Sequence, residues 1–274
     1  MKNKNYEFLK ETAKNIRIHI VKMISSAGSG HPGGSLSIAD IVAFLFFDEM
    51  NFDPKNPNDP ERDRFILSKG HAAPVLYAAL AMKGFFPESD LASLRSVNSH
   101  LQGHPHRLDT PGVEASTGSL GQGFSMASGM AIGNRLSGSG SNVYTIIGDG
   151  ESQEGQIWET AMAAGFRGLS NLCAFLDYNN QQIDGYVSEI KDIFPVREKW
   201  EAFNWNVIEI DGHDFEQIEK AVSDFKNEKN KPTMIIAKTT KGKGVSFMEN
   251  NLAFHGSAPN AEELETAIKE LKNG

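Results

Sequence analysis

A carboxylate set between two glycines, Gly148-Asp149-Gly150, directly follows the β-branched run Val143–Ile147. Glycine on either side leaves backbone N–H groups open to a bulky anion, and the carboxylate projects from the end of a buried strand. Alone, the tripeptide is an ordinary Asp turn. A second polar cluster, Asp177-Tyr178-Asn179-Asn180, ends the next apolar run, with 28 residues between Gly150 and Asn179. That gap holds one helix and one strand, so both loops return to the same rim. Asp149 and Asn179 can then offer two oxygens to one cation. Hard cations such as Mg2+ and Ca2+ take oxygen ligands, and Mg2+ typically completes its shell with substrate phosphates. A site with so few protein charges suits a metal held partly by a diphosphate.

Imidazole is the second chemical signal. His31, His71, His104 and His255 stand in Gly- or Pro-flanked loops. Their ordinary pKa of about 6.5 suits proton transfer near neutrality. His19, on the first helix, and His100 and His106 read as structural or surface residues. His213, in Asp211-Gly212-His213-Asp214, reads as a turn before a helix.

Alternating strands and helices must carry these loops. Residues 6–27 space Phe8, Leu9, Ile16, Ile20, Met23 and Ile24 as a helix does. Gly28–Gly34 breaks it, and Ser37–Met50 is a second, strongly apolar helix. Strands are expected at Phe65–Leu67, Val143–Ile147, Leu172–Leu176, Val207–Ile210 and Thr233–Ala237. Between them helices are expected at His71–Lys83, Gly121–Leu136, Gln153–Arg167, Lys191–Phe203 and Phe215–Asn227, with a long loop over residues 96–120. Ala261–Lys272 reads as a last amphipathic helix or a frayed tail. Strands separated by helices imply an α/β fold, a mostly parallel sheet with helices on both faces. Ligands bind such sheets beyond the carboxyl ends of the strands. Gly148–Glu154, Asp177–Gly185 and Lys238–Gly244 all follow strands, so they should converge.

Bulk composition excludes several classes. The 274 residues carry a net charge of −8 and are 39% hydrophobic, which supports a globular core and disfavours nucleic acid or an anionic membrane as partner. Lys238–Lys243 is the one basic segment. Met1–Lys10 lacks the apolar centre of a signal peptide, and the longest apolar run, Ile41–Phe47, is too short to span a bilayer. The single cysteine, Cys173, lies in an apolar run and reads as a buried thiol, so a cytoplasmic location is expected.

Gly148–Gly150 followed by Asn179-Asn180 resembles the thiamine diphosphate-binding motif. Further segments narrow the resemblance to transketolase: Ser29-Gly30-His31-Pro32-Gly33, Ser68-Lys69-Gly70-His71-Ala72, Gly103-His104-Pro105, Thr117–Gly123, Asp149–Gly155 and Phe254-His255-Gly256, in that family's order. The resemblance runs from about Ser25 to about Asn260. It implies that Asp149, Asn179 and the carbonyl of Gln181 hold a metal: Mg2+, with Ca2+ or Mn2+ as alternatives. It implies that Gly118, Ser119, Leu120, Gly150, His71, Asn179, Lys238 and His255 contact thiamine diphosphate. Glu154 resembles an acidic residue near the cofactor at a subunit interface. His31, His104 and His255 resemble the catalytic histidines of the substrate channel. Gly34 is a departure: some relatives carry a side chain there that bonds the cofactor, so here any contact falls to the backbone.

In the family, a pyrimidine-binding domain with an activating glutamate follows the diphosphate-binding domain, and a third domain follows that. The resemblance covers the first alone, as a single diphosphate-binding domain over residues 1–274. Intact metal and cofactor motifs, with Met1 at the start and a polar end, lead us to expect a natural subunit. Its partner would supply the pyrimidine site, and two such pairs would assemble as α2β2. The expected reaction moves a two-carbon ketol unit from a ketose phosphate to an aldose phosphate. The alternatives are a related enzyme for a branched or sulfonated sugar phosphate, or a non-catalytic cofactor-binding subunit. A nucleotide-binding dehydrogenase is disfavoured, because no strand precedes the glycines of Gly118–Gly123.

Overall fold

The computed structural model describes residues 5–274; Met1–Lys4, part of the polar N-terminus considered above, lie outside the described residues. The chain opens with α1 (Tyr6–Ala27), capped by the Asn5 side chain, which accepts from the Phe8 amide, and closed by Gly28 in the left-handed conformation (φ 62°). Leu9, Ile16, Ile20, Met23 and Ile24 face inward at helical spacing. Phe8 lies off that stripe, half exposed against the edge of Phe47. Two short helices follow, α2 (Pro32–Leu36) and α3 (Ala39–Phe44), the latter running into a π turn at Leu45–Glu49. The apolar Ser37–Met50 segment is thus helical but broken.

Then come β1 (Arg64–Leu67), α4 (Ala73–Met82), α5 (Gln122–Ser137), β2 (Val143–Gly148), α6 (Gly155–Phe166) and β3 (Leu172–Tyr178). The chain ends with α7 (Val187–Ile190), α8 (Val196–Ala202), β4 (Asn206–Asp211), α9 (Phe215–Asn227), β5 (Thr233–Lys238) and α10 (Ala261–Asn273). The helix expected at Lys191–Phe203 is shorter, Val196–Ala202; residues 191–195 are not helical, and the short α7 lies before them. Pro195 has no N–H to donate, and it disfavours a helical conformation at Phe194. The C-terminal segment is no frayed tail: Asn260 and Glu263 cap α10 reciprocally, and Ala267 and Leu271 are buried.

The five strands form one sheet in the order β1-β2-β3-β5-β4, every pair parallel. Period-two alternation splits their side chains between two cores. Tyr144, Ile146, Cys173, Phe175, Ile235 and Ala237 join the core under α1, α3, α4, α9 and α10. Val143, Ile147, Leu172, Leu176, Met234 and Ile236 join the core under α5, α6 and α8, around Trp200 and Trp205. Cys173 is fully buried. No described helix is long and apolar enough to cross a membrane.

Register sets the rim. Gly148 pairs with Asp177, and Tyr178 pairs with Lys238. The strands β2, β3 and β5 therefore end side by side, and the three following loops open on one edge.

Candidate active site

Asp149 leaves β2 at that edge, 2% exposed. Its Oδ1 accepts from the Gly150 amide (2.7 Å), and its Oδ2 accepts from the Asn179 and Asn180 amides (2.9 and 2.5 Å). The two loops that the sequence placed together thus meet on one carboxylate. Burial, and then the neighbouring Asp177, push Asp149 up to about 7 despite the amide donors. Asn179 donates through Nδ2 to Asp177 Oδ2 (2.9 Å), and its Oδ1 accepts from the Gln181 amide (3.1 Å). The Gln181 carbonyl accepts from Lys241 Nζ (3.1 Å).

A buried carboxylate, a carboxamide oxygen and a main-chain carbonyl are hard oxygen donors with one formal charge between them. That set fits a divalent cation whose remaining charge is met by phosphate oxygens. No cluster of three or more His, Cys, Asp or Glu among the described residues could hold a metal instead.

Three buried charges organise these loops, and sequence reasoning assigned a role to none of them. Lys69 Nζ contacts Asp177 Oδ2 at 2.6 Å, with the two side chains 3% and 1% exposed, and also donates to the Gly34 carbonyl (2.6 Å). Asp177 further accepts from Ser37 (2.8 Å) and from Thr239. Burial raises the Asp177 carboxyl, but Lys69 and these hydroxyls bring it below its ordinary range. Glu151 accepts from Ser68 Oγ (2.5 Å), the Gly121 amide (2.8 Å) and the Gly148 amide (2.9 Å). It ties the ends of β1 and β2 to the start of α5. The available signal was a charged residue inside an otherwise Gly- and Ser-rich segment directly after a strand.

Glycine is required where these segments press together. A Cβ on Gly70 would stand 2.7 Å from the Thr117 carbonyl carbon, and one on Gly123 would stand 2.6 Å from Ser68 Cα. Gly34 has no such neighbour. Its nearest contacts would be Lys69 Nζ and His71 Nε2, at 3.6 and 3.7 Å, so a small side chain would fit there.

His31, His71 and His255 form a cluster, with ring centroids 5.1–5.6 Å apart. Lys241 Nζ lies 2.8 Å from His255 Nδ1. Burial, reinforced by the cations nearby, lowers His31 to about 4 and His255 to about 3, and takes His71 well below its ordinary value. All three are neutral at physiological pH. With Lys241 donating to Nδ1, His255 keeps its Nε2–H as a free donor. His104 is held from behind, because Tyr77 Oη donates to the Gln102 and His104 carbonyls (2.9 and 3.1 Å). Its ring lies 3.1 Å from where a Gly118 Cβ would stand.

His31, His71, Gly118, Leu120, Asp149, Gly150, Glu154, Asn179, Gln181 and His255 line one cleft of about 340 Å³. Ser119 and His104 adjoin it without lining it. Glu154 is exposed at the N-terminus of α6, with no hydrogen bond to its carboxylate among the described residues.

Lys238 is a correction. It is the last residue of β5, it points to the sheet edge 3.7 Å from Glu209, and it lines a different depression. The lysines that line the cleft are Lys69 and Lys241, the latter three positions on. Lys241 is 3% exposed, and burial lowers its pKa to about 8. His213 is structural: its Nε2 accepts from the Thr240 amide (2.9 Å) and its Nδ1 meets Asp40 (2.8 Å), which seats the turn that carries Lys241.

Residues 9–273 match the family described as transketolase, thiamine diphosphate binding domain. The chain is 49% identical over 264 residues to the 6-deoxy-6-sulfo-D-fructose transketolase subunit SqwG of Clostridium sp. (strain MSTE9), covering 96% of each. It is 38% identical over 265 residues to an apulose-4-phosphate transketolase subunit of Phocaeicola vulgatus, covering 97% of this chain and 94% of that one. The solved transketolase of Campylobacter jejuni superposes with a TM-score of 0.93 at 35% identity, covering 98% of this chain and 43% of that one.

Proposed function

The chain belongs to the transketolase family, as a thiamine diphosphate-binding domain, and from that premise we propose that it is one subunit of a two-chain transketolase. It spans less than half of the solved Campylobacter jejuni transketolase chain but almost all of two relatives that are named as subunits. The missing part would be a C-terminal subunit with the pyrimidine-binding domain and the activating glutamate, and two pairs would form α2β2. Residues 1–274 would be a single diphosphate-binding domain.

The observation that carries this reading is the oxygen cage at the ends of β2 and β3, with Lys241 beside it. Asp149, Asn179 and the Gln181 carbonyl would hold Mg2+, and Lys241, Gly150 and the 118–120 segment would receive the diphosphate. When bound, thiamine diphosphate supplies the nucleophilic carbon and the electron sink for breaking a C–C bond beside a ketose carbonyl. His31, His104 and His255 would hold substrate hydroxyls. As neutral imidazoles they can each give or accept a hydrogen bond, and can carry a proton between sugar oxygens. His71, packed behind them, would complete the wall near the cofactor. Glu154 would meet the partner subunit.

Substrate choice has two readings. Pentose phosphates are the ordinary pair for this reaction. The names of the two subunit-length relatives favour a second, a sulfonated or branched sugar. A ketol-transfer assay decides: the chain alone, and then with its partner, is given Mg2+, thiamine diphosphate and each donor in turn. Activity in the mixture alone supports the two-chain enzyme, and the preferred donor identifies the sugar. Activity of the chain alone, or none in a mixture that forms a complex, would refute the reading.

A further inference from the structure

A second cavity, of about 350 Å³, lies beside β1 and shares no lining residue with the cleft. Four phenyl rings form its inner wall in a chain of contacts, Phe65 to Phe46 to Phe52 to Phe85, with successive centroids 5.1–5.6 Å apart. Lys83, which does not line the cavity, lies over the Phe52 ring (5.2 Å). Residues 107–114 form the outer wall. That segment is held by its own bonds: the Thr110 amide donates to the His106 carbonyl (3.0 Å), the Val113 amide to the Thr110 carbonyl (3.2 Å), and Thr110 Oγ1 to the His100 carbonyl (2.5 Å). Gly112, at φ 83°, already touches the opposite side, since a Cβ there would stand 2.5 Å from Leu80 Cδ2 and 2.7 Å from Phe85 Cδ1. The wall is therefore fixed, and the space behind it is preformed.

Every carboxylate of the lining has its partners. Glu114 accepts from Arg62 (2.7 and 2.8 Å) and from Arg64 (3.2 Å). Asp63 accepts from the Asn51 and Asn142 amides (2.8 and 2.7 Å), and Asp109 meets His106 (2.8 Å). What remains unpaired is cationic. The Arg107 amide donates to Ser116 Oγ (3.0 Å), but its guanidinium makes no hydrogen bond or ion pair among the described residues. Arg107, Leu108 and Glu114 also line an adjoining depression, and there they are joined by Arg64, which spends one N–H on Glu114 and has others to spare.

We propose that this cavity is a second ligand site, which takes a small aromatic anion: a flat apolar body against the phenyl rings, and a carboxylate or similar oxyanion on Arg107. Edge contacts between rings favour an aromatic body over an aliphatic one. A free guanidinium fork matches the two oxygens of a carboxylate. The outer wall belongs to the same loop as His104, and the Thr117 amide closes the base of that loop on the Pro105 carbonyl (3.3 Å).

The test uses two probes of one shape, naphthalene-2-carboxylate and the neutral naphthalene-2-carboxamide. Each is titrated by calorimetry into the chain alone and into the two-chain complex, with and without saturating Mg2+ and thiamine diphosphate. The carboxylate should bind at one site per copy of this chain, at least tenfold more tightly than the carboxamide, and the cofactor should not displace it. Arg107→Gln, at an exposed position, should abolish the preference for the carboxylate and leave carboxamide affinity within twofold. Met50→Trp, which puts an indole into the cavity, should weaken both probes at least tenfold; the arginine variant keeps the test decisive if this one fails to fold. No saturable binding, displacement by the cofactor, or an unchanged preference in Arg107→Gln would overturn the proposal. Binding to the chain alone but not to the complex would also overturn it, by showing that the partner subunit covers the cavity.

Discussion

Replacing Lys69 with Met keeps the aliphatic stem and deletes the ammonium that faces Asp177. The carboxylate left behind is 1% exposed, with donors remaining from Ser37, Asn179 and Thr239. Breaking a buried ion pair from one side costs about 3–5 kcal/mol. Three surviving donors place this case at the low end, about 3 kcal/mol. For a chain of 274 residues, an unfolding entropy of about 2.1 cal/mol/K per residue converts that into a fall of about 5 °C in Tm. Urea unfolding and calorimetry of the subunit measure both. Asp177→Asn should also destabilise, and the double variant should be more stable than the sum of the two losses predicts, by about 2 kcal/mol, because each charge is costly without the other. Lys69→Met within 1 kcal/mol of wild type, or strict additivity in the cycle, would refute the argument that this pair organises the rim.

Acid stability should depend on Asp40. Burial raises its carboxyl, but Arg17 (2.5 and 3.0 Å) and His213 (2.8 Å) more than offset this and hold it at about 2. The folded value lies below the unfolded one of about 3.9, so the stabilisation is complete above that pH and is lost as pH falls toward 2, about 2.6 kcal/mol in all. Urea midpoints between pH 5 and 2 should therefore fall less steeply in Asp40→Asn than in wild type; parallel slopes would contradict this. Lys241→Met should weaken thiamine diphosphate binding at least tenfold, whereas Lys238→Met should change it less than twofold, by equilibrium titration. Gly165→Ala would place a Cβ 1.8 Å from the Phe203 carbonyl oxygen and should prevent stable folding, while Gly129→Ala, in open space on α5, should stabilise by about 0.5–1 kcal/mol. Circular dichroism melts of the two variants separate these outcomes.

The strands and the meeting of the loops that follow β2 and β3 were legible because local signals carry them. Val143–Ile147 and Leu172–Leu176 are continuous apolar runs, and a polar cluster follows each, so the meeting of Asp149 with Asn179 follows from chain geometry alone. The helix at Phe215–Asn227 matches its expected bounds, because the Asp214 cap and a clear apolar stripe define it. Lys238 was misplaced because its orientation depends on strand parity and on Glu209 in β4, neither of which is written in the segment itself. Lys69 and Glu151 showed only as charges in Gly- and Ser-rich segments after strands, and a buried charge looks like a surface charge until long-range packing encloses it. The break at Pro195 was visible in principle, but the apolar residues around it, Ile193, Val196 and Trp200, keep a helix-like spacing.

Metal-dependent cofactor binding is the property on which the site assignment depends most directly. Thiamine diphosphate should be titrated into the two-chain complex with and without Mg2+, for wild type and for Asp149→Ala. Saturable binding that requires Mg2+ in the wild type, and that is weakened more than 100-fold in Asp149→Ala, is the predicted result. Equal affinity in the two proteins, or binding indifferent to the metal, would contradict the assignment of this edge of the sheet as the cofactor site.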